Sequence, residues 1–342
     1  MIRLDISTPV GDSRILINET AANLNEFVSG EKIAVITDRN VRGLHGEIFR
    51  DCPTITIKTG EKSKSLQTAE MVYKELLSME MDRSSVIVGV GGGMVCDMAG
   101  YCASTYMRGL RFGYVPTTLL AQVDASVGGK NGVNLAGYKN IIGVFSQPEF
   151  VLADFRFLET LPRRELLCGI AEIVKHALIK SRNLFEDLEN HGKELVSLRK
   201  DILERTVAES IRIKAEIAAA DTKETGARRL LNFGHTLGHA VETSAGLKHG
   251  EAVSVGMVFA AKISEARGMI SSEERERIQK LLETFGLPIR LNIDKETIIH
   301  ALKKDKKRQA ENVHFVLLSG IGKAGIGKMS YRELEEHIHD LC

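Results

Sequence analysis

The sequence contains no tryptophan, and its five cysteines, Cys52, Cys96, Cys102, Cys168 and Cys342, are scattered without a CxxC pair. An odd number of dispersed thiols argues against a disulfide framework, so we expect a reduced, cytoplasmic protein. The first residues lack a basic segment followed by an apolar stretch, which predicts no secretory signal. No run of about 18 apolar residues is present, so no membrane span is predicted.

The sequence also lacks an excess of either charge, because the formal net charge is only +1 at pH 7. Such a balance gives no general reason to bind nucleic acid or an anionic membrane, and we expect neither as a partner. An anionic small molecule would have to be held by a local cluster of cations. The 342 residues, 43% of them hydrophobic, are long for one core and comfortable for two domains.

Residues 1–155 have the pattern of an α/β domain. RLDIS and RILIN flank the turn-rich TPVGDS and predict a hairpin. Short apolar runs that end in turn or polar residues are typical of buried parallel strands, and this part contains KIAVITD, TITIK, SSVIVGVGGG and RFGYVPTT. LQTAEMVYKELLSM lies between two of these runs and has helical spacing. The alternation predicts a doubly wound sheet.

Residues 156–342 have the pattern of an all-α domain. Pro162 stands where a first helical turn tolerates proline, just before RELLCGIAEIVKHALIKS. A charged amphipathic stretch follows over 193–221. Ser271 with Glu274 predicts a capping box, and Gly286 predicts the end of that helix.

A strand leads directly into the glycine cluster Gly89-Val90-Gly91-Gly92-Gly93. Glycines let backbone N–H groups approach a pyrophosphate, and a helix N-terminus favours its negative charge. The cluster departs from GxGxxG, because Met94 occupies the third glycine position, and no acidic residue follows about twenty positions on to hold a ribose. Nucleotide binding and a tight strand–helix turn without a ligand both remain open on this pattern alone.

Glu172 and two histidines from the group His235, His239 and His249 form a candidate metal site. His235 and His239 are four residues apart and share one helical face, and His249 opens the next helical stretch. Position 236 is Thr, so the metalloprotease motif HExxH and its general base are absent. Glu172 lies in an otherwise apolar helix, and two histidines with one carboxylate would leave an open coordination position. An ion pair of Glu172 with Lys175, without any metal, is the alternative.

Four long blocks resemble the signatures of the 3-dehydroquinate synthase family: RFGYVPTTLLAQVDASVGGK, GIAEIVKHA, LLNFGHTLGHA and HGEAV. They occur in the family's order and at family-like spacings, over essentially the whole chain. The resemblance implies a Rossmann-like N-terminal domain, a helical metal-binding C-terminal domain and an active site between them. It also implies NAD, a divalent metal (zinc or cobalt), a homodimer, and conversion of 3-deoxy-D-arabino-heptulosonate 7-phosphate to 3-dehydroquinate and phosphate in the shikimate pathway.

The resemblance also implies site residues, matched position by position. The metal ligands would be Glu172, His235 and His249. Residues lining NAD would be Asp38, Asn40, Glu61, Lys64, Gly92, Gly93, Met94, Asp97, Thr117, Thr118, Lys130, Lys139, Phe157 and Thr160. Substrate contacts would be Arg108, Asp124, Lys130, Asn140, Lys175, Lys214, Arg228, Asn232, His239 and one lysine of the Lys306-Lys307 pair, with Lys306 preferred. Catalytic roles would fall to Lys175, Glu224, His239, Lys130 and Asn140.

The implied chemistry suits these residue types. The metal would polarise the hydroxyl that NAD oxidises, and the new ketone would acidify the neighbouring C–H so that phosphate leaves by β-elimination. Reduction by the retained NADH, ring opening and an intramolecular aldol step would complete the carbocycle, with NAD regenerated in every turnover.

Some positions depart from the family pattern. Asn131 stands where Thr is common, Leu135-Ala136 replaces His-Pro, and Tyr138 stands where Gly is usual. Cys96 and Cys168 replace other small or polar residues. These changes concern mainly the expected cofactor region.

Three alternatives stand against this interpretation. A related sugar-phosphate cyclase would differ at residues facing the substrate carboxylate and phosphate, where Lys130, Asn140, Arg228 and Asn232 follow the dehydroquinate pattern. A metal-dependent polyol dehydrogenase would need fewer phosphate-binding cations. A non-catalytic protein on this fold is disfavoured by the intact Glu172, His235 and His249 set, and fold alone would not decide.

Overall fold

The computed structural model describes residues 1–28, 30–291, 296–299 and 312–338. The chain forms two compact units, one of Met1–Pro162 with Lys214–Lys223 and one of Arg163–Ile213 with Glu224–Cys342. The boundary predicted from the sequence lies between residues 155 and 156, and in this division it lies between Pro162 and Arg163. The assignment of Lys214–Lys223 to the first unit was not anticipated.

The first unit is built on a mostly parallel sheet. Its strand order is β1-β2-β9-β6-β5-β3-β4, with β1 antiparallel to β2 and every other neighbouring pair parallel. The strands of this unit are β1 (Ile2–Thr8), β2 (Gly11–Ile17), β3 (Ile33–Asp38), β4 (Thr54–Ile57), β5 (Val86–Gly91), β6 (Arg111–Pro116), β7 (Lys130–Leu135), β8 (Tyr138–Phe145) and β9 (Phe150–Ala153). The predicted hairpin, the predicted strands and their parallel pairing are confirmed.

The central strands are largely buried, as a parallel sheet covered on both faces requires, and β5 and β9 are buried along their whole length. All six residues of β5 are buried, because its Val-Ile-Val-Gly-Val-Gly sequence offers only apolar surface to either face. The helices of this part are α1 (Leu24–Phe27), α2 (Arg39–His45), α3 (Leu66–Ser78) and α4 (Gly93–Thr105). β7 and β8 form a separate antiparallel hairpin that the sequence pattern did not predict.

The strand order reverses between β3 and β5. After β3, the chain forms β4 on one side of β3 and then returns to form β5 on the opposite side of β3. Ligands of open α/β sheets bind at the carboxyl ends of the strands flanking such a reversal. Asp38 ends β3 and Gly91 ends β5, so this edge is where the sheet can receive a ligand.

The second unit is mainly helical. Its helices are α5 (Arg163–Lys180), α6 (Arg182–Val196), the first part of α7 (Lys200–Ala220), α8 (His235–Ser244), α9 (His249–Ala266), α10 (Ser272–Phe285) and α11 (Tyr331–Ile338). The predicted boundaries of α10 are confirmed, with a Ser271–Glu274 capping box and left-handed Gly286 as its C-cap.

The expectation of an all-α C-terminal domain needs a correction, because β10 (Asn312–Gly320) and β11 (Lys323–Ser330) form an antiparallel hairpin there. The hairpin packs on helices: Phe315 meets Phe259 of α9 edge-on, with ring centroids 6.1 Å apart. Within the described ranges, no helix combines the length and the hydropathy that crossing a membrane would require.

Candidate active site

Glu172, His235 and His249 converge in the second unit. The Oε1 atom of Glu172 lies 3.1 Å from Nε2 of His249 and 3.5 Å from Nε2 of His235. One ligand atom from each of the three residues lies within 4.8 Å of the other two. Glu172 is completely buried, and only 12% of the His235 side chain is exposed. Two imidazoles and one carboxylate in this arrangement are a donor set that zinc and related divalent metals accept.

Close backbone packing brings the three elements together. Gly234 precedes His235 with φ +78°, and a Cβ there would lie 2.8 Å from the carbonyl oxygen of Val253 in α9. A Cβ on Gly250, the residue after His249, would collide with the Cα of Cys168 in α5. Since only glycine fits either position, α8 and α9 can begin directly against their neighbours and present both histidines to Glu172.

The outer nitrogen of each histidine also faces an oxygen. Nδ1 of His235 lies 3.1 Å from the carbonyl oxygen of Phe233, and Nδ1 of His249 lies 3.7 Å from Oε2 of Glu242. A partner on Nδ1 fixes the ring and leaves Nε2 as the metal-directed atom. Nζ of the buried Lys175 contacts the other oxygen of Glu172. The Glu172–Lys175 ion pair, which on the sequence alone is the alternative to a metal site, is therefore present together with the histidine convergence.

The two histidines differ in their electrostatics. Burial lowers the pKa of His235 well below its ordinary value of 6.5, which keeps its ring neutral. Burial also opposes the charge on His249, but hydrogen bonds to Glu172 and Glu242 outweigh it and raise the pKa of His249 to about 9. The position between His249 and Glu172 therefore favours positive charge.

His239 lies beside this set but is exposed, with its ring centroid 5.0 Å from that of His235. His239, Glu242 and His249 form a second group with ligand atoms within 4.8 Å of one another. Sequence reasoning missed Glu242, although its position three residues after His239 on α8 was an available signal.

Three further predicted residues lie on the turn before α8. Nδ2 of Asn232 donates to Oε1 of Glu224 at 2.5 Å, and Glu224 adopts a left-handed φ of +58°. Arg228 is buried, with 2% exposure. A buried guanidinium is costly unless an anion or hydrogen-bond acceptors meet it. His176, also buried, bonds the hydroxyl of Ser210 at 2.8 Å and was not predicted to act in the site.

In the first unit, the glycine cluster forms the turn from β5 into α4. Gly92 is the N-cap and contributes no side chain, while Gly93 and Met94 begin the helix. A Cβ on Gly92 would lie 3.1 Å from Cγ2 of Thr118, so a side chain there would crowd the turn. The backbone of Thr117 joins the same turn by donating to the carbonyl oxygen of Gly91 at 2.9 Å. The turn is therefore a narrow cradle of main chain at a helix N-terminus.

Lys64, Asp97 and Asn140 form a polar cluster beside this turn. The buried Lys64 ammonium contacts the carboxylate of Asp97 and the side-chain oxygen of Asn140. Burial raises the pKa of Asp97, and Lys64 opposes that rise. Asn134, which was not predicted, accepts from the N–H of Asn140 at 2.8 Å and donates to Glu61 at 2.8 Å.

Asp124 lies in a π-helical turn, Ala121–Ala125, that follows β6. Its Oδ1 atom is 2.7 Å from Nζ of Lys214, which is nearly buried and belongs to the same unit. π-helical turns occur frequently at functional sites. Two of the predicted substrate residues of this unit are thus brought together as an ion pair.

Other predicted residues have structural partners. Asp38 caps α2 by accepting from the N–H of Asn40, and Thr160 bonds Nε2 of His45 at 2.8 Å. The Phe157 side chain, 2% exposed, belongs to the hydrophobic core of this unit. Arg108 lies in a surface turn with a left-handed φ of +69°.

Lys130 and Lys139 are exposed on the β7–β8 hairpin, so the structure brings neither of them into a buried cluster. Lys306 and Lys307 lie outside the described residues.

The mostly parallel sheet of the first unit and the mainly helical second unit define the fold of the sugar-phosphate cyclases, a fold that iron-containing alcohol dehydrogenases also have. The family model for the 3-dehydroquinate synthase N-terminal region matches residues 54–168, and the C-terminal one matches residues 169–308. The chain belongs to the 3-dehydroquinate synthase family.

Two relatives illustrate the match. The 3-dehydroquinate synthase of Symbiobacterium thermophilum is 44% identical over 296 residues, covering 83% of this chain and 83% of that protein. The 3-dehydroquinate synthase of Halorhodospira halophila is 44% identical over 323 residues, covering 93% of this chain and 90% of that protein.

Solved structures agree with the fold. A 2-deoxy-scyllo-inosose synthase complexed with carbaglucose-6-phosphate, NAD⁺ and Co²⁺ matches with a TM-score of 0.88 at 27% identity, covering 100% of both chains. The 2-epi-5-epi-valiolone synthase of Streptomyces hygroscopicus, with NAD⁺ and Zn²⁺ bound, gives 0.88 at 29% identity, covering 100% of this chain and 98% of that one. An iron-containing alcohol dehydrogenase gives 0.71 at 14% identity, with 100% and 99% covered, and shares the fold alone.

Proposed function

We propose that the chain is a 3-dehydroquinate synthase, a phosphate-eliminating carbon–oxygen lyase that converts 3-deoxy-D-arabino-heptulosonate 7-phosphate to 3-dehydroquinate and phosphate. This is a step of the shikimate pathway toward aromatic amino acids. The observation that carries the proposal is the convergence of Glu172, His235 and His249 in a chain of this family. Such a set leaves a coordination position for a substrate oxygen.

The metal ligands would be Glu172, His235 and His249, holding a divalent zinc or cobalt ion. The donor set supports this assignment, since its imidazole Nε2 atoms face a buried carboxylate and their Nδ1 atoms face oxygens. Two related synthases of known structure contain NAD⁺ together with Co²⁺ or Zn²⁺.

The NAD would be held in the first unit, with its pyrophosphate at the turn of Gly92, Gly93 and Met94. The narrow main-chain cradle at the start of α4, and its position at the strand-order reversal, support this assignment. Around it would lie the other predicted lining residues: Asp38, Asn40, Glu61, Lys64, Asp97, Thr117, Thr118, Lys130, Lys139, Phe157 and Thr160.

When bound, NAD supplies a reversible hydride acceptor, and the metal ion polarises the hydroxyl that is oxidised. The chain's own residues would then bind and orient the substrate. In the second unit Lys175 would hold the Glu172 carboxylate in its charged form, and Arg228 would meet an anionic group. Glu224, oriented by Asn232, and the exposed His239 would move protons. In the first unit Asp124 would orient Lys214, with Arg108, Lys130 and Asn140 as further contacts.

We further propose that the protein is a cytoplasmic homodimer. Its binding partner would be a small-molecule substrate, and it would bind neither nucleic acid nor a membrane. The unpaired state of Cys52, Cys96, Cys102 and Cys168 supports a reducing compartment. The net charge of +1 supports the absence of polyanionic partners.

The test is phosphate release from 3-deoxy-D-arabino-heptulosonate 7-phosphate with substoichiometric NAD, with and without a chelator, while NADH absorbance is monitored. Many phosphates released per NAD, no accumulation of NADH and loss of activity on chelation are expected, with 3-dehydroquinate identified as the product. NADH accumulation with a polyol, without phosphate release, would instead establish a dehydrogenase. No turnover in either assay, with NAD and metal shown to be bound, would contradict the proposed substrate.

A further inference from the structure

Four charged side chains lie on either side of the His249 position, two at the start of α5 and two at the start of α9. Arg164 pairs with Glu251, and Glu165 pairs with Lys248, with an Oε1–Nζ distance of 2.9 Å. We call these four residues the α5–α9 clamp. Its two α9 members, Lys248 and Glu251, flank His249 in sequence.

The contact between Arg164 and Glu251 is bidentate. Nε of Arg164 donates to Oε1 of Glu251 at 2.5 Å, and Nη2 donates to Oε2 at 2.7 Å. Two parallel charge-assisted bonds fix the orientation of the groups as well as their separation. Oε2 of Glu251 also accepts from the backbone N–H of Lys248 at 2.8 Å, so the same carboxylate organises the first turn of α9.

The clamp acts on the distance between two metal ligands. Glu172 lies eight residues after Arg164, or about two turns along α5, and His249 is the first residue of α9. Between them, Gly250 packs directly on Cys168 of α5. A small rotation or slide of α9 on α5 would therefore move Nε2 of His249 away from Oε1 of Glu172, now 3.1 Å apart.

We infer that the α5–α9 clamp is a positioning device, in which Arg164, through Glu251, holds His249 at coordinating distance from Glu172. The inference rests on the proposed metal-binding function. It assigns to Arg164, Glu165, Lys248 and Glu251 no contact with the metal or the substrate. An ordinary surface ion pair would contribute little, and only to folding, so the clamp must be recognised by its effect on the metal site.

The experiment uses the full chain, stripped of metal and titrated with zinc in competition with a chromophoric chelator. Arg164→Met removes the guanidinium group, which makes both bonds to Glu251, and keeps an aliphatic side chain. Arg164→Lys keeps the positive charge but cannot make the two parallel bonds. The matched control is Arg205→Met, since Arg205 makes an equivalent bidentate pair with Asp187 in the same unit, at 3.0 and 2.5 Å. Thermal unfolding of the metal-free proteins measures folding separately.

Arg164→Met is expected to raise the zinc dissociation constant about tenfold, the lower end of the effect of losing a partner that orients a ligand. Arg164→Lys should give an intermediate value, and Arg205→Met should match the wild type. The visible spectrum of the Co²⁺ form should change for Arg164→Met only, because band shape reports coordination geometry. Equal zinc affinity and equal Co²⁺ spectra for Arg164→Met and wild type would overturn the inference. A wild-type chain that binds no zinc would instead overturn the proposed function.

Discussion

The two units offer ligands in different ways. In the first unit the candidate cofactor site is made largely of main chain, at the turn from β5 into α4. In the second unit the candidate metal site is made of side chains, one inside α5 and two at the first positions of α8 and α9. A site made of main chain requires that no side chain fills it, whereas a metal site requires a few side chains of specific types. The two should therefore respond differently to substitution.

The largest effect is expected from Glu172→Gln, which removes the only carboxylate of the three candidate ligands. Metal affinity and phosphate release should both fall by at least about a hundredfold, the upper end of the effect of losing an outer partner. The affinity for NAD should stay within error of wild type, because that site belongs to the other unit. Measurement of metal content, NAD binding and turnover on one preparation checks this. Unchanged metal content would remove Glu172 from the ligand set.

Gly92→Val should produce the opposite pattern. Its side chain would crowd Thr118 and fill the main-chain cradle, so the NAD dissociation constant should rise about tenfold or more. Zinc affinity should be unchanged. The control is Gly43→Val, where a Cβ meets nothing within 4 Å. Equal NAD affinity in both variants would place the pyrophosphate away from this turn.

A smaller effect is expected at Asn134, the polar link between Glu61 and Asn140. Asn134→Asp replaces the donor to Glu61 with a second carboxylate and should weaken NAD binding several-fold, since a lost hydrogen bond costs about 1 kcal/mol. In the double variant that combines Asn134→Asp with Glu61→Gln, the amide introduced at position 61 can donate to the carboxylate introduced at position 134, so the hydrogen bond is restored in the opposite direction. The double variant should therefore bind NAD more tightly than the sum of the two single-variant losses predicts. Strict additivity of the two changes would show that Asn134 does not act through Glu61.

The smallest effect concerns pH and His45. Burial lowers the pKa of His45 below its ordinary value of 6.5, so the native state binds fewer protons than the unfolded chain just below that pH. Stability should be full above pH 6.5 and should fall as the pH decreases through it. His45→Gln should remove this component, worth less than about 1 kcal/mol for a partly exposed ring. Urea unfolding of both proteins above and below pH 6.5 measures the difference, and parallel pH profiles would contradict the assignment.

The sequence carried much of this arrangement. The all-apolar β5 and its glycines predicted a buried parallel strand with a helix start, and Ser271, Glu274 and Gly286 predicted the limits of α10. Each of these features is formed by residues close together in the chain, so it can be recognised from a short stretch of the sequence. The ligand roles of Glu172, His235 and His249 came from the family resemblance, and they remain predictions that their convergence supports.

Other features depend on tertiary contacts and could not be predicted. The pairing of Arg164 with Glu251 joins residues 87 positions apart, and both look like ordinary surface charges in the sequence. The link from Asn134 to Glu61 spans 73 positions. The β10–β11 hairpin is different, because NVHFVLLSG followed by glycines was a strand signal within a mostly helical region.

That hairpin also sets an order of events during protein synthesis. The N–H of Gly322 donates to the carbonyl oxygen of Leu178 at the end of α5, and the N–H of Leu318 donates to Ser264 in α9, both at 3.0 Å. Chains leave the ribosome N-terminus first, and domains generally fold as units in that order. All strands of the first unit have left the ribosome once Ala153 has emerged. The hydrogen bonds from the β10–β11 hairpin to α5 and α9 can form only after residues 312–330 have emerged as well. The nascent chain can therefore complete its parallel sheet before α5 and α9 gain their contacts with the β10–β11 hairpin.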